Sequence, residues 1–176
     1  MIHISSPFTN IIETLKPGDI IRISGVLYVA RDAAHRRMAE THQGGGGFPF
    51  DIRGQGIYYA GPCPEKPGHV IGSIGPTTSG RMDPYTPLLL DNGLKVMIGK
   101  GLRSREVIES MKRNRCVYLG AAGGCGALIS RSVKHQEIIA FPELGPEALR
   151  KITVEDFPAV VIIDAKGKSL YERRGG

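Results

Sequence analysis

Arg31, Arg81 and Lys100 stand where a basic residue can do chemistry. Arg31 directly follows the apolar run 26–30, Arg81 lies in the loop after residues 69–74, and Lys100 follows residues 95–98 between Gly99 and Gly101. If those runs are strands, all three cations sit at carboxyl ends, where open α/β folds bind ligands. The glycines beside Lys100 let backbone amides approach an anion, and a helix starting just after adds a favourable dipole. Arginine offers a planar fork to a carboxylate, whereas lysine acts as a point charge. Three such cations converging would suit a small dicarboxylate. Any one of them alone reads better as an ordinary surface cation, and only their shared placement brings the functional reading level with it.

The loop Gly75-Pro76-Thr77-Thr78-Ser79-Gly80-Arg81 is dense in hydroxyls. It could hold an anion, or one hydroxyl could move a proton. A bare hydroxyl is almost never ionised near neutral pH, so it needs a neighbouring base or a cationic site. The same residues also read as a turn-rich loop capping the next helix. Two other glycine patterns carry less. Gly120, Gly123 and Gly126 follow a strand, but GxGxxG is absent and little chain remains for a helix before the strand near Ile138, so they read as close packing or a turn. Gly99-Lys100-Gly101 lacks the flanking residues of a phosphate loop. Cys63, Cys116 and Cys125 form no C-x-x-C pair, so no iron–sulfur or zinc site built from this chain alone is expected. Cys116 opens an apolar strand and reads as core. His35 reads equally as a helix-surface or packed residue and as a functional one.

The elements that must position these residues follow from periodicity. Residues 20–24 and 26–30 are β-rich runs around a Gly25 turn. Residues 31–41 have helical spacing, with Ala34 and Met38 on one face and Asp32 four before Arg36. Residues 57–60 and 69–74 read as strands, and 84–92 as a short helix stopped by Gly93. The clearest unit is a strand at 95–98, a helix capped by Ser104 and running to about Arg113, then a strand at 116–119, as a crossover requires. Val107, Ile108 and Met111 share that helix's inner face, with Glu109 and Arg113 paired outside. Residues 138–141 and 159–163 are further apolar runs, the latter with the continuous Val/Ile character of a buried strand. Lys166-Gly167 suggests a hairpin into residues 169–171. The first half is turn-rich β and the second βαβ, giving a layered α/β domain with mixed sheets over residues 1–176.

Composition bounds the function class. The 176 residues carry 23 Lys+Arg against 17 Asp+Glu, a net +6, which favours an acidic partner. Nucleic acid is disfavoured: there is no Trp, aromatics are only 6%, and the basic knots at Arg36-Arg37, residues 112–115 and Arg173-Arg174 are scattered and read as solvated surface. No apolar run approaches the ~20 residues of a membrane span. The first residues lack a basic region followed by an apolar stretch, so no secretory leader is expected. Three unpaired cysteines suggest a reducing, cytoplasmic setting. Gly44 to Gly47 reads as a flexible loop.

Several stretches together resemble a known family. They are Gly18-Asp19 to Gly25, Ala30-Arg31-Asp32-Ala33-Ala34-His35, Ile57-Tyr58-Tyr59-Ala60-Gly61-Pro62, the long run from Pro67-Gly68-His69 through Thr77 and Arg81 to Asp83, Met97-Ile98-Gly99-Lys100-Gly101, and the glycine run to Ala127. In order and over almost the whole chain, they resemble the β subunit of class I iron–sulfur fumarase and of L-tartrate dehydratase, the same module as the C-terminal domain of single-chain class I fumarases. The resemblance implies a swivelling β/β/α domain. It implies an α-subunit partner that ligates a 4Fe–4S cluster through three cysteines, with none bound by this chain alone, and hence a hetero-oligomer inactive without α. The implied reaction is reversible hydration of fumarate to L-malate, or else the dehydration of tartrate or a related dicarboxylate. Carried over onto matching positions, Arg31, Arg81 and Lys100 are substrate-carboxylate ligands. Thr77 is the proton-transfer threonine, activated by a carboxylate of the partner. Cys63 departs from the pattern, where relatives often carry a small residue. A stand-alone anion-binding protein is the rival from another class.

Overall fold

The computed structural model describes residues 1–121 and 126–174. Gly123, Cys125 and the side chains of Arg173 and Arg174 lie outside the described residues. In chain order the elements are β1 (Ile2–Ser5), β2 (Ile20–Val29), α1 (Asp32–Gln43), β3 (Gly56–Tyr58), α2 (Thr86–Asp91), β4 (Val96–Gly99), α3 (Arg105–Asn114), β5 (Val117–Gly120), α4 (Gly126–Ser132), β6 (Val133–Ala140) and β7 (Leu149–Ile163). The architecture is mixed α/β around one seven-stranded sheet of order β1-β2-β3-β4-β5-β7-β6. β1 to β5 run parallel to their neighbours, while β7 is antiparallel to β2, β5 and β6.

Because β7 pairs with both β5 and β2, the pairings close into a ring: β2-β3-β4-β5-β7 and back to β2. Side chains alternate across a strand, and here the alternation separates two cores. Val29, Tyr58, Val96, Ile98, Val117, Leu119 and Phe157 belong to the inner one. Ile57, Tyr59, Met97, Cys116 and Tyr118 belong to the outer one, against Ala34 and Met38 of α1, Leu89 and Leu90 of α2, and Val107 and Met111 of α3. Both faces of β3, β4 and β5 are therefore buried, which is why these strands read as continuous apolar runs.

α3 begins as expected. The Ser104 hydroxyl accepts the Val107 amide at 3.2 Å, and Arg115 ends the helix in the left-handed conformation. Burying Val107 and Met111 contributes about 1.5–3 kcal/mol each. The outer face is paired differently from the sequence expectation. Arg113 reaches Asp91 of α2 at 2.8 Å, Glu109 pairs with Lys112, and Arg36 pairs with Glu40. The longer reach to Asp91 ties α3 to α2, which an i,i+4 contact within the helix could not do.

Other expectations are corrected. The two runs at 20–24 and 26–30 are one strand over Ile20–Val29: Gly25, at φ +102°, carries the chain straight on, past a bulge whose extra residue lies on β7, and makes no turn. Residues 69–74 form no strand. Gly72 packs under the Cys63 carbonyl and the Ser73 carbonyl accepts the Cys63 amide, so this stretch pairs with its own loop. Chain remains after Gly120 for a short helix, α4, and residues 138–140 are the end of an eight-residue strand, with Phe141 beyond it in the left-handed conformation. Residues 159–163 are the last third of a fifteen-residue strand. The Lys166-Gly167 turn does return the chain, with Ser169 bridged to Ile163, but a 3-10 turn follows over Leu170–Arg174. Among the described residues no helix is long and apolar enough to cross a membrane.

Candidate functional site

The carboxyl ends of β2, β3 and β4 lie side by side, and the candidate residues stand there. Arg31 follows β2 as the N-cap of α1, with the preceding Ala30 amide donating to the Tyr58 carbonyl of β3 at 3.1 Å. Beyond β3, the Tyr59 carbonyl accepts the Thr77 amide at 2.8 Å, so the hydroxyl-rich loop returns to the strand end it left. Lys100 follows β4. The Lys100 carbonyl accepts the Ser79 amide at 2.9 Å, and Thr78 bridges Lys100 in parallel. Thr77, Arg81 and Lys100 are thus carried by two loops hydrogen-bonded to each other. Arg31 is one strand over, and no hydrogen bond or ion pair among the described residues joins the four side chains.

Their electrostatic settings differ. Arg81, in the 3-10 turn Ser79–Met82, and Lys100 are exposed and have no side-chain partner among the described residues. Two such cations on adjoining loops give this edge of the protein positive potential. Arg31 is half-buried, with its Nε 3.6 Å from Glu147 Oε1 and 4.0 Å from Asp32 Oδ1. None of these three buried atoms has a hydrogen-bond partner among the described residues. Gly61 makes room for this arginine, since a Cβ there would meet Arg31 Cδ at 3.0 Å. Arg31 is therefore countered by two carboxylates, whereas Arg81 and Lys100 are not.

His35 supports Arg31 from below. It is fully buried, its Nδ1 lies 2.7 Å from the Arg31 carbonyl, and its ring meets Tyr59 edge-on. A carbonyl only accepts, so Nδ1 is the protonated nitrogen that donates to it. Burial first, with Arg103 adding to it, lowers its pKa to about 4. Thr77 is half-buried, and its hydroxyl has no basic neighbour among the hydrogen bonds of the described residues.

Sequence reasoning missed the residues that hold these loops. Arg103 is buried against Asp83, Thr86, Tyr59 and Tyr118. Its partners lie 20, 17 and 44 residues away in the case of Asp83, Thr86 and Tyr59, so no local spacing betrays it. Glu147 was also missed, because it approaches Arg31 from the turn just before β7.

Among the described residues, no three His, Cys, Asp or Glu side chains group as metal ligands. Cys116 is buried and bonded to the Leu94 carbonyl, and burial pushes its thiol up to about 12, which does not suit a thiolate ligand. Cys63 is exposed. The described residues therefore do not fit an iron–sulfur cluster. Gly126, the last of the spaced glycines, packs where a Cβ would strike the Gly75 amide at 2.7 Å, so its role is close approach of α4 to the hydroxyl-rich loop.

With this geometry established, comparison adds a family. A family model described as fumarase C-terminus matches residues 2–174. The chain is 42% identical over 155 residues to the anaerobic class I fumarate hydratase of Escherichia coli strain K12, covering 87% of this chain and 28% of that protein. It is 42% identical over 158 residues to fumarate hydratase 2 of Leishmania major, covering 89% and 28%. It is 39% identical over 167 residues to a putative L(+)-tartrate dehydratase subunit beta of Methanocaldococcus jannaschii, covering 92% of this chain and 86% of that subunit. The chain thus spans less than a third of the two fumarate hydratases and nearly all of the tartrate dehydratase subunit.

Proposed function

The chain belongs to the fumarase C-terminus family, and we propose that it is the β subunit of an iron–sulfur hydro-lyase that reversibly hydrates fumarate to L-malate. The observation that carries this reading is the pair of joined loops bearing Thr77, Arg81 and Lys100: Lys100 directly follows β4, Arg81 lies in the 3-10 turn bonded against it, and neither cation has a side-chain partner among the described residues. A C4 dicarboxylate presents one carboxylate to the Arg81 fork and the other to Lys100, with Arg31 adding positive potential from the end of β2. Thr77 lies four residues before Arg81 in the same loop and hands a proton to or from the substrate carbon. Its hydroxyl is activated by a carboxylate of the α subunit, since no base among the described residues is bonded to it.

The 4Fe–4S cluster that the resemblance implies is assigned to the α subunit, since the described residues of this chain do not fit one. The active unit is accordingly a cytoplasmic hetero-oligomer, and this chain alone is inactive. We read the ring of strands with helices packed outside it as the swivelling β/β/α domain, single over residues 1–176. The ring closure through β7 and the separate inner and outer cores support that reading.

A second reading is favoured by one finding: the chain covers 86% of a tartrate dehydratase subunit beta, against 28% of each fumarate hydratase. On that reading the same cations hold tartrate. The test is anaerobic co-purification of the tagged chain with its partner, iron counting in the eluate, and turnover of fumarate, L-malate and tartrate. Faster turnover of tartrate than of fumarate would select the second reading. A colourless chain purified alone under conditions that preserve clusters would remove both.

A further inference from the structure

Arg103 is the buried cation around which the site is assembled. Its side chain is fully shielded from solvent, and its Nε donates to Asp83 Oδ1 at 2.8 Å. One terminal nitrogen donates to Thr86 Oγ1 at 3.1 Å and the Tyr59 hydroxyl at 3.3 Å, and the other lies 3.3 Å from Met97 Sδ. The guanidinium sits 4.9 Å from the ring centre of Tyr118 and 5.2 Å from that of Tyr59.

Each partner leads to a site loop. Asp83 ends the turn that carries Arg81, and its second oxygen accepts the Ser104 amide at 2.7 Å. The Tyr59 carbonyl accepts the Thr77 amide. The Tyr118 hydroxyl donates to the Gly101 carbonyl at 2.8 Å, beside Lys100, and lies 2.9 Å from Ser79 Oγ. Burying an ion pair often stabilises no better than well-packed apolar residues, so its presence here needs another explanation. The planar fork answers several acceptors in fixed directions, which an apolar side chain or a lysine cannot do.

We propose that Arg103 is a positioning residue: acting through Asp83, Tyr59 and Tyr118, it sets the spacing between the Arg81 turn and the Lys100 loop, and so the span over which the two carboxylates of the substrate are held. This rests on the hydro-lyase reading for its substrate but not for its geometry. Arg103 itself does not touch the ligand.

The test pairs Asp83→Asn with Arg103→Met in the full chain, so that no buried charge is left alone, and adds Arg103→Lys as a charge-retaining variant. Three quantities are read: the melting temperature, hydrogen exchange at the Ser79 amide, and KM and kcat for fumarate and tartrate after reconstitution with the α subunit. The expected double variant melts within about 5 °C of the parent. Its Ser79 amide exchanges roughly tenfold faster or more, and KM rises by a similar factor while kcat changes less. Arg103→Lys restores neither value. If the double variant fails to fold, Arg103→Lys is read by the same two criteria. A folded variant with parental Ser79 exchange and parental KM overturns the proposal, as does full rescue by lysine. Exchange at Ser79 needs no substrate. A parent enzyme that turns over neither dicarboxylate therefore removes the functional reading while the exchange result still decides the role of Arg103 in holding the loops.

Discussion

Ser79 Oγ occupies the space that a Cβ on Gly99 would need. The glycine ending β4 is therefore a condition for the hydroxyl-rich loop to lie against the Lys100 loop, with Tyr59 closing the other side of the same space. Gly99→Ala should lower stability by about 1–3 kcal/mol, the usual cost of overpacking, and weaken activity with it. Adding Ser79→Ala should recover part of the loss in thermal melts, and no part if the strain comes from elsewhere.

Arg81 and Lys100 are exposed and unpaired among the described residues, so removing either should leave folding almost untouched. Arg81→Ala or Lys100→Ala should shift stability by no more than about 0.5 kcal/mol. Each should cost the reconstituted enzyme on the order of 10- to 100-fold in kcat/KM, the worth of a charge-assisted hydrogen bond. Steady-state kinetics beside a melting curve checks both halves. Near-parental kcat/KM in either variant would reject that residue as a carboxylate ligand.

Thr77 is assigned a proton, so its variants should divide by hydroxyl and not by size. Thr77→Val should reduce kcat by on the order of 100- to 10,000-fold with KM near the parent value, and Thr77→Ser should retain much of the activity. Parental kcat in the valine variant would end the proton-transfer role and leave the cation assignments standing.

Buried His35 makes stability depend on pH. Unfolded, a histidine takes a proton near pH 6.5, whereas burial holds the folded ring near 4. Between those values the unfolded chain binds more protons, so stability falls as pH drops from 6.5 towards 4. The loss is on the order of 3 kcal/mol, and none arises from this group above 6.5. His35→Gln should remove most of that slope in denaturant titrations. A slope unchanged by the substitution would assign acid sensitivity to other groups.

Much of this architecture was legible in the sequence where local pattern and burial agree. The β4-α3-β5 unit could be read because Ser104 is a true cap and because Val107 and Met111 recur at helical spacing on a buried face. The strand-end cations were legible for the same reason: position after an apolar run suffices to find Arg31 and Lys100. β7 was read only in part, because Lys151, Glu155 and Asp156 interrupt its apolar residues, and its pairing with β2 makes a strand of them nonetheless. Residues 69–74 have strand composition but no ladder to join. Arg103 was invisible because a buried arginine and a surface arginine are the same letter, and only tertiary partners distinguish them.

The ring of strands also governs the order in which the chain can fold. Ile20 in β2 pairs with Val160 in β7, and Val29 with Arg150, so one long edge of β2 stays open until residues 150–160 have been made. Pairings so distant in sequence are slow to form, because loop closure precedes any contact that rewards it. During synthesis the apolar inner face of β2 must therefore wait, exposed, for the strand that completes the ring.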